Sequence, residues 1–237
     1  MNKGICRVSV APIRANTSHQ SEMISQLLYG ETAEILEVKG DFARIKVDFD
    51  GYEGWISTNQ IAQISEESLE INPETVTETF IIANLPEGKM LLSIGSEVRL
   101  KSDKKFTKLD IKSIAETATK FLNVPYLWSG RSFFGVDCSG FVQLVYKVHG
   151  IYLPRDAYQQ AEIGDVLSFV EESKPGDLAF FENEEGKITH VGMMLEDSKI
   201  IHAYGKVRID TLDSTGIFNA DLGKHTHKLR FLRSIFH

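Results

Sequence analysis

The sequence predicts an α+β protein with two unlike parts, a small all-β barrel followed by a domain in which helices pack on an antiparallel sheet. Short runs that alternate polar and apolar residues, separated by turn residues, occupy residues 1–63. Apolar residues at helical spacing follow between residues 111 and 149, and strand-like runs return after residue 175. These three observations set the predicted order of the elements.

The barrel is predicted from two clear strands and the turns around them. Residues 34–38 and 43–47 alternate in period two, and a short turn joins them. A further strand begins at Gly54. Residues 11–33 are expected to form a long opening, with a weak helical pattern at 22–28. Short strands, tight turns and one long early loop favour a small barrel.

A mixed stretch separates the barrel from the later domain. Its start has the polar composition of a linker, whereas residues 75–83 and 89–94 are expected to be strands that pack on the barrel. The predicted organisation is therefore a barrel domain, a linker with strands and a helix-and-sheet domain, over residues 1–63, 64–108 and 109–237.

The later domain opens with two predicted helices. The first spans residues 111–122 and ends before Pro125. The second covers residues 138–149, with Asp137 as its N-cap and Gly150 at the left-handed position after its end. A cysteine therefore opens the second helix.

Strand-like runs complete the domain and carry two histidines. After a helical turn at 157–161, strands are predicted at 178–181, 190–195 and 200–203. A two-residue turn at 197–198 would place His202 near Met193, on the sheet face opposite His190. A bulge or a longer loop would change that register, and both alternatives stay open. The other candidates, His149, His225 and His227, are expected to be solvated.

Composition excludes several classes of function. The chain has 237 residues, 42% of them hydrophobic, and a net charge of −7, so nucleic acids and anionic membrane surfaces would be repelled on average. Neither a signal peptide nor a run of roughly 18 apolar residues occurs, which predicts a cytoplasmic protein. We expect no nucleic-acid partner, no membrane partner and a monomer.

Cysteine and histidine usage argues against disulfides and metal sites. The chain has 2 cysteines, Cys6 and Cys138, and a bridge between them is not expected in a reducing compartment. Cys6 lies in an alternating run and is expected to be a small buried hydrophobe. No Cys-x-x-Cys or His-x-x-x-His spacing occurs, so neither a metal nor a cofactor is predicted.

The residues with the clearest chemical potential are Cys138, His190 and His202. The first turn of a helix carries unpaired N–H groups and partial positive charge, which favour a nucleophilic thiolate. One histidine could activate the thiol and the other could orient the first. The alternatives are that Cys138 is an inert core residue and that His202 is a core histidine with satisfied hydrogen bonds.

Six motifs carry a resemblance to a known family. They are Val124–Trp128, Asp137–Gly140, Leu153–Asp156, Pro175–Leu178, His190–Gly192 and Ile201–Ala203. Through them residues 109–237 resemble the NlpC-type cell-wall cysteine peptidases, a papain-like family. Residues 7–63 resemble a bacterial SH3-like domain through the segments 27–31 and 54–56.

The resemblance implies a catalytic role for four residues. Cys138 would be the nucleophile, His190 the base, His202 the residue that orients it, and Tyr126 a donor near the oxyanion. The substrates would be murein stem peptides, cut between γ-D-glutamate and diaminopimelate or lysine. Relatives with this SH3-like partner resemble recycling enzymes that require a free N-terminal L-alanine.

The resemblance also implies residues that bind the substrate. Asp156 matches the position that holds the amine, and Glu22 and Tyr52 would contribute to the same site from the SH3-like domain. Further candidates for substrate contacts are Asp137, Ser139 and Arg155. The chain departs from the family at Ser129, where glycine is usual, and at Ala157, where serine is common. These departures leave Ser139, Arg131 or Arg155 as candidates for the D-glutamate carboxylate.

Two other functions fit the same residues. A thiol acyltransferase would share the thioester chemistry but would pass the acyl group to an amine or an alcohol. A non-catalytic module would bind cell-wall peptides through the SH3-like domain. An intact set of Cys138, His190 and His202 argues against the second alternative.

Overall fold

The computed structural model describes residues 2–99 and 106–236. Its first part is one antiparallel sheet with the strand order β3-β2-β6-β5-β4-β1-β7. The strands are β1 (Lys3–Cys6), β2 (Val10–Arg14), β3 (Met23–Leu28), β4 (Thr32–Lys39), β5 (Phe42–Val47), β6 (Glu53–Ser57) and β7 (Ile61–Gln63). Alternate residues of these strands point into a small core that contains Cys6, Ile13, Leu27, Ile45 and Ile56.

The weak helical pattern at residues 22–28 was misleading, because Met23–Leu28 forms strand β3. Both faces of this strand are covered, which gives an apolar run that imitates helical spacing. Leu27 packs in the core of the first sheet, whereas Leu28 joins the core of the later domain. Strand β3 is therefore the part of the first sheet that meets the later domain.

The middle stretch forms a short helix and two small hairpins. Their elements are α1 (Glu66–Leu69), β8 (Glu74–Thr75), β9 (Phe80–Leu85), β10 (Gly88–Ser93) and β11 (Glu97–Val98). The strand predicted over 75–83 is thus divided, and its halves pair with β11 and β10. Leu85, Leu92 and Val98 pack around Tyr29 of the first sheet. Residues 100–105 of the predicted linker lie outside the described ranges, and the domain limits remain predictions.

The later part contains three helices and nine strands. They are α2 (Ile114–Thr119), β12 (Arg131–Ser132), β13 (Gly135–Val136), α3 (Cys138–Val148), α4 (Ala157–Gln160), β14 (Asp165–Leu167), β15 (Leu178–Glu182), β16 (Ile188–Met194), β17 (Lys199–Tyr204), β18 (Lys206–Leu212), β19 (Gly216–Asn219) and β20 (Lys224–Ser234). Within the described ranges, none of the helices is both long and apolar enough to span a membrane.

The first predicted helix of this part is shorter than expected. Residues 111–113 form a 3-10 turn, capped by the side chain of Asp110, and α2 itself covers six residues. The chain then reverses at Asn123, whose φ is 68°. The second predicted helix agrees closely with α3, and Gly150 has the expected left-handed φ of 72°.

Strands β15 to β20 form a closed ring. Each strand pairs with the next, and β20 pairs with both β19 and β15, while β14 adds to the end of β20. The inside of the ring is filled by residues such as Phe181, Met194 and Ile217. The outside of β15, β16 and β17 packs on α3 through a second core that includes Phe180, Val191 and Phe141. The later part is thus a closed sheet with α3 and the short α4 packed on its outer face.

The hairpin of β16 and β17 corrects the predicted turn. Met193 pairs with Ile201 and Met194 pairs with Ile200, so the predicted two-residue turn is wrong by one position. Four residues connect the strands, and two of them, Asp197 and Ser198, have φ of 55° and 54°. A shift of one residue in the register of β17 against β16 turns every side chain of β17 to the other face of the sheet. His202 therefore lies on the same face as His190.

A buried ionic cluster joins the two parts of the molecule. The Glu31 carboxylate of the first sheet accepts two hydrogen bonds of 2.7 Å from the Arg131 guanidinium and one of 2.6 Å from the Lys147 ammonium. Burial opposes the charge on Glu31, but Arg131 and Lys147 outweigh it and lower the pKa of this carboxyl group to about 2. The cluster fixes where the first sheet sits against α3.

Candidate active site

One cavity of about 440 Å3 holds nearly all the predicted site residues. It lies between the first sheet, the starts of α3 and α4, and the start of β16. Its walls include Glu22, Tyr52, Tyr126, Asp137, Cys138, Ser139, Arg155, Asp156 and His190. His202 lies directly behind His190 and completes the predicted set.

The start of α3 positions Cys138 at the cavity wall. The Asp137 carboxylate accepts a hydrogen bond of 2.6 Å from the Gly140 N–H, as predicted for an N-cap. Gly140 lets the helix approach the preceding loop, because a Cβ there would lie 2.3 Å from the carbonyl oxygen of Gly130. The thiol therefore opens a helix that is held tightly against the loop beneath it.

The thiol of Cys138 is not stabilised as a thiolate in the unliganded protein. Burial is the largest cause and raises its pKa to about 12, and the Asp137 carboxylate acts in the same direction. Backbone groups of Val191 and Ser139 only partly oppose this shift. Burial thus opposes the stabilisation that the helix terminus offers a thiolate, and the helix-stabilised thiolate stays a prediction.

A chain of hydrogen bonds leads away from His190 into the sheet. His190 Nε2 lies 2.9 Å from His202 Nδ1, and His202 Nε2 lies 3.0 Å from Asp210 Oδ2. Arg208 binds both oxygens of Asp210 through bonds of 2.7 and 2.8 Å. Gly192 leaves room for this arrangement, since a Cβ there would lie 3.0 Å from the Cβ of His202.

This chain defines the tautomers of both histidines. An ionised carboxylate only accepts, so His202 donates its Nε2–H to Asp210 and keeps its lone pair on Nδ1. His190 must then donate its Nε2–H to that nitrogen, which leaves Nδ1 as its basic atom. Burial, followed by His202 and His227, holds the pKa of His190 well below its ordinary range. Burial therefore favours the neutral forms of both Cys138 and His190, which line the same cavity.

Asp210 is a site residue that the sequence analysis missed. It is buried, and although burial would raise its pKa, His202 and Arg208 lower the value to about 2. It belongs to β18, and the sequence offers only the alternation Arg208-Ile209-Asp210 as a signal. That pattern is common in strands, so only the pairing of β17 with β18 reveals its role.

Tyr126 lies at the wall of the cavity on the Cys138 side. Burial, and then the neighbouring Cys138, raise the pKa of its phenol to about 12. The hydroxyl is therefore protonated at neutral pH and can donate a hydrogen bond. This protonation state fits the donor role that the resemblance implies.

The candidates for the D-glutamate carboxylate differ in accessibility. Arg155 donates to both Asp137 oxygens, at 3.1 and 2.6 Å, and to the Ser139 hydroxyl at 3.0 Å. Arg155 and Ser139 nevertheless line the cavity. Arg131 does not line it, because its guanidinium is committed to the buried Glu31 carboxylate.

Part of the cavity wall is acidic and aromatic. Glu22 and Tyr52 reach it from the first sheet, and Asp156 reaches it from the N-cap of α4. Burial raises the pKa of Asp156, and Arg155 partly offsets the rise. The indole of Trp128 donates a hydrogen bond of 3.0 Å to Glu22, so both parts of the molecule meet at this part of the wall.

Two histidines predicted to be solvated are packed instead. His149 is buried and lies 3.0 Å from the Thr117 hydroxyl. His227 stacks on His190 with 4.2 Å between the ring centroids. Neither position shows an apolar pattern of its own, so only tertiary packing places these rings. His225, by contrast, is exposed and pairs with Asp213, in agreement with the prediction.

His190, His202 and His227 are the residues that could come nearest to a metal site. Ring nitrogens of all three lie within 4.8 Å of one another. The rings of His190 and His227 are only 24° from parallel, however, and 4.2 Å apart, so their in-plane lone pairs lie in two nearly parallel, stacked planes. A tetrahedral zinc needs lone pairs that converge about 2 Å from each nitrogen. The observed arrangement does not fit such an ion.

A thiol at the start of a helix, packed against strands that carry an imidazole pair, defines a cysteine-peptidase site. The NlpC/P60 family model matches residues 123–225, and the model of the bacterial dipeptidyl-peptidase SH3 domain matches residues 13–61. The chain therefore contains an NlpC/P60 cysteine peptidase domain, preceded by a bacterial SH3 domain. The predicted family is confirmed.

Relatives and a solved structure agree with this assignment. A gamma-D-glutamyl-L-lysine dipeptidyl-peptidase of Bacillus cereus is 29% identical over 229 residues, which are 78% of this chain and 68% of the relative. Its namesake from Bacillus subtilis is 45% identical over 94 residues, which are 39% of this chain and 31% of the relative. An NlpC/P60 family protein from Bacillus cereus has the same fold, with a TM-score of 0.83, 21% identity and coverage of 98% and 99% of the two chains.

Proposed function

We propose that the protein hydrolyses the bond between γ-D-glutamate and the following diamino acid in murein stem peptides. The proposal includes a preference for peptides with a free N-terminal L-alanine, so that L-Ala-γ-D-Glu is released. Two relatives named for the lysine form of this reaction support the bond type. The acidic and aromatic residues of the cavity support the preference for a free N-terminus.

The observation that carries the proposal is that two kinds of groups line one cavity. The thiol of Cys138 and the imidazole of His190 share it with Glu22, Tyr52 and Asp156. Carboxylates and an aromatic ring are the groups that bind an ammonium. A peptide bound in this cavity could therefore place its terminal ammonium on the acidic residues while its γ-glutamyl bond meets Cys138.

The reaction begins with proton transfer inside the neutral pair. His190 Nδ1 takes the thiol proton as Cys138 Sγ bonds to the γ-carbonyl carbon of D-glutamate. Tyr126 and the Cys138 N–H donate to the oxygen that becomes negative. The C–N bond then breaks, and the imidazolium gives its proton to the leaving amine. Water attacks the remaining thioester, which releases the acid and restores the thiol.

The chain His190, His202, Asp210 prepares His190 for this role. It holds the imidazole in the one tautomer that can accept the thiol proton on Nδ1. It also places the Asp210 charge where it stabilises the imidazolium that forms during attack.

The test compares L-Ala-γ-D-Glu-diaminopimelate with the same peptide acetylated at its N-terminus, with products identified by mass. We expect L-Ala-γ-D-Glu from the free peptide only, and none from Cys138→Ala. Cys6→Ala is the matched control, because Cys6 is buried in the first sheet, away from the cavity, and its loss should leave turnover intact.

Each other outcome identifies what has failed. Cleavage of both peptides would contradict the free-amine requirement and would keep the peptidase. Transfer of the acyl group to an added amine instead of water would favour the acyltransferase. Turnover by a pure Cys138→Ala sample would overturn the assignment of the nucleophile.

A further inference from the structure

His227 lies flat against the imidazole of His190. The two centroids are 4.2 Å apart, and the ring planes differ by 24°. The His227 ring also meets His202 and Tyr204 edge-on, at centroid distances of 5.6 and 4.9 Å. His227 belongs to β20, so the closure of the sheet brings this distant residue to the site.

A second cavity, of about 560 Å3, lies beyond this stack. His227 forms part of its wall, together with Phe181, Glu182 and Lys228. Thr189 lines both this cavity and the one that holds Cys138, whereas His190 lines only the latter. His227 therefore stands between the imidazole of His190 and the space of the second cavity.

We propose that His227 is a positioning residue for His190. Its ring covers one face of the imidazole, keeps the Nε2–H directed at His202 and excludes the water of the second cavity. The proposal rests on the proposed function only where turnover is the measurement. It concerns the geometry of the neutral thiol and imidazole pair, which can also be measured by chemical modification.

The surroundings of His227 suit a neutral ring. The Thr226 hydroxyl lies 2.9 Å from its Nδ1 and fixes the rotation of the ring. Burial, and then His202, lower the pKa of His227 to about 4, although Asp210 opposes the shift. Of the charged groups that line the cavity, Glu182 and Lys228 pair with each other at 2.7 Å, and Glu184 is exposed to solvent. A neutral ring does not repel the His190 imidazolium that forms during catalysis.

The test uses two variants and one matched control. His227→Ala removes the stack, and His227→Phe keeps an aromatic face without nitrogens. His225→Ala is the control, because His225 lies on the same strand and is exposed. The measurements are kcat, KM and the acid limb of the pH profile for L-Ala-γ-D-Glu-diaminopimelate, with thermal unfolding to confirm that each variant folds.

We expect His227→Ala to lower kcat by roughly tenfold to a hundredfold with little change in KM, since a misplaced base slows the reaction without weakening binding. Its acid limb should move to higher pH, because a hydrated imidazole is easier to protonate. His227→Phe should restore both properties, and His225→Ala should change neither. An unchanged acid limb in His227→Ala, or equal losses in the Ala and Phe variants, would overturn the proposal.

A second measurement separates this proposal from the proposed function. The rate at which iodoacetamide alkylates Cys138 depends on the base beside it, whatever the substrate. If none of the proteins cleaves the peptide, the shift of the alkylation profile in His227→Ala still supports the role of His227. The absence of that shift contradicts it.

Discussion

At the scale of single residues, the neutral pair of Cys138 and His190 has the largest functional consequence. Burial raises the pKa of the thiol and lowers that of the imidazole, which favours a neutral pair in the unliganded protein. A preformed ion pair would react with any small electrophile at neutral pH. In a neutral pair, by contrast, the thiolate and the imidazolium form only when substrate is bound and the proton moves from Cys138 to His190.

This state predicts slow chemical modification of the resting protein. Cys138 should react with iodoacetamide more slowly at pH 7 than a free cysteine does, because the raised pKa leaves little thiolate. The rate should rise steadily as the pH increases above 9. A fast rate that is independent of pH between 5 and 8 would instead indicate a thiolate and imidazolium pair.

The second prediction at this scale concerns Asp210. Asp210→Asn removes the charge beside His202 and replaces a group that only accepts hydrogen bonds with an amide that can also donate to His202 Nε2. We expect kcat to fall by at least about tenfold with KM nearly unchanged, because the tautomer of His190 is no longer enforced. Asp213→Asn is the control, since Asp213 forms a similar 2.8 Å pair with the exposed His225. Equal effects of both substitutions would remove Asp210 from the site.

At the scale of elements, local patterns predicted what depends on local chemistry. The N-cap Asp137, the length of α3 and the glycine after it follow from short-range rules, and the structure agrees. Short-range rules do not predict the face on which His202 lies. Two left-handed residues between β16 and β17 shift the register of this strand pair by one residue. The sequence left that choice open, since Asp and Ser show no strong preference for such a turn.

Local sequence patterns could not predict the contacts between elements that are distant in the chain. Strand β3 was taken for a weak helix because both of its faces are buried by different parts of the molecule. His227 reaches the site because the sheet closes on itself, and Asp210 reaches it because β18 pairs with β17. Pairings between distant strands cannot be predicted directly from a single sequence. The motif residues around Cys138, in contrast, were sufficient to indicate the site.

Ser129 gives a prediction about the loop before α3. Its φ of 59° is left-handed, a conformation that favours glycine. Ser129→Gly should raise the free energy of unfolding by about 0.5–1 kcal/mol. Ser132→Gly is the matched control in β12, where the backbone is extended and glycine should lower stability by a similar amount. Urea unfolding measures whether the free energy of unfolding rises in Ser129→Gly and falls in Ser132→Gly. A loss of stability in Ser129→Gly would contradict the inference that the backbone at Ser129 is strained.

At the scale of the whole molecule, the Glu31 cluster holds the SH3 domain in the position that completes the cavity. Glu31 is 1% exposed, and its partners Arg131 and Lys147 are also buried. Folding lowers the pKa of Glu31 from 4.5 to about 2, so its stabilisation is present above pH 4.5 and is lost as the pH falls towards 2. Acid should therefore loosen the contact between the two parts.

Glu31→Gln tests this contact directly. We expect the free energy of unfolding at pH 7 to fall by about 3–5 kcal/mol, because the buried Arg131 loses the carboxylate it binds and Lys147 is left with Glu97 at 3.1 Å. Glu34→Gln is the control, since Glu34 is an exposed carboxylate on the neighbouring β4 and should change stability by less than about 1 kcal/mol. A small effect of Glu31→Gln would show that the cluster does not hold the two parts together.

The protonated thiol of Cys138 also bears on how long the protein lasts. Peroxides oxidise thiolates far faster than thiols, and further oxidation to the sulfinic acid is irreversible for most proteins. A sulfur that stays a thiol until substrate occupies the cavity is protected from oxidation by peroxide for as long as no substrate is bound. Oxidative damage should therefore accumulate with turnover rather than with age, and an idle population should keep its activity under peroxide that inactivates a working one.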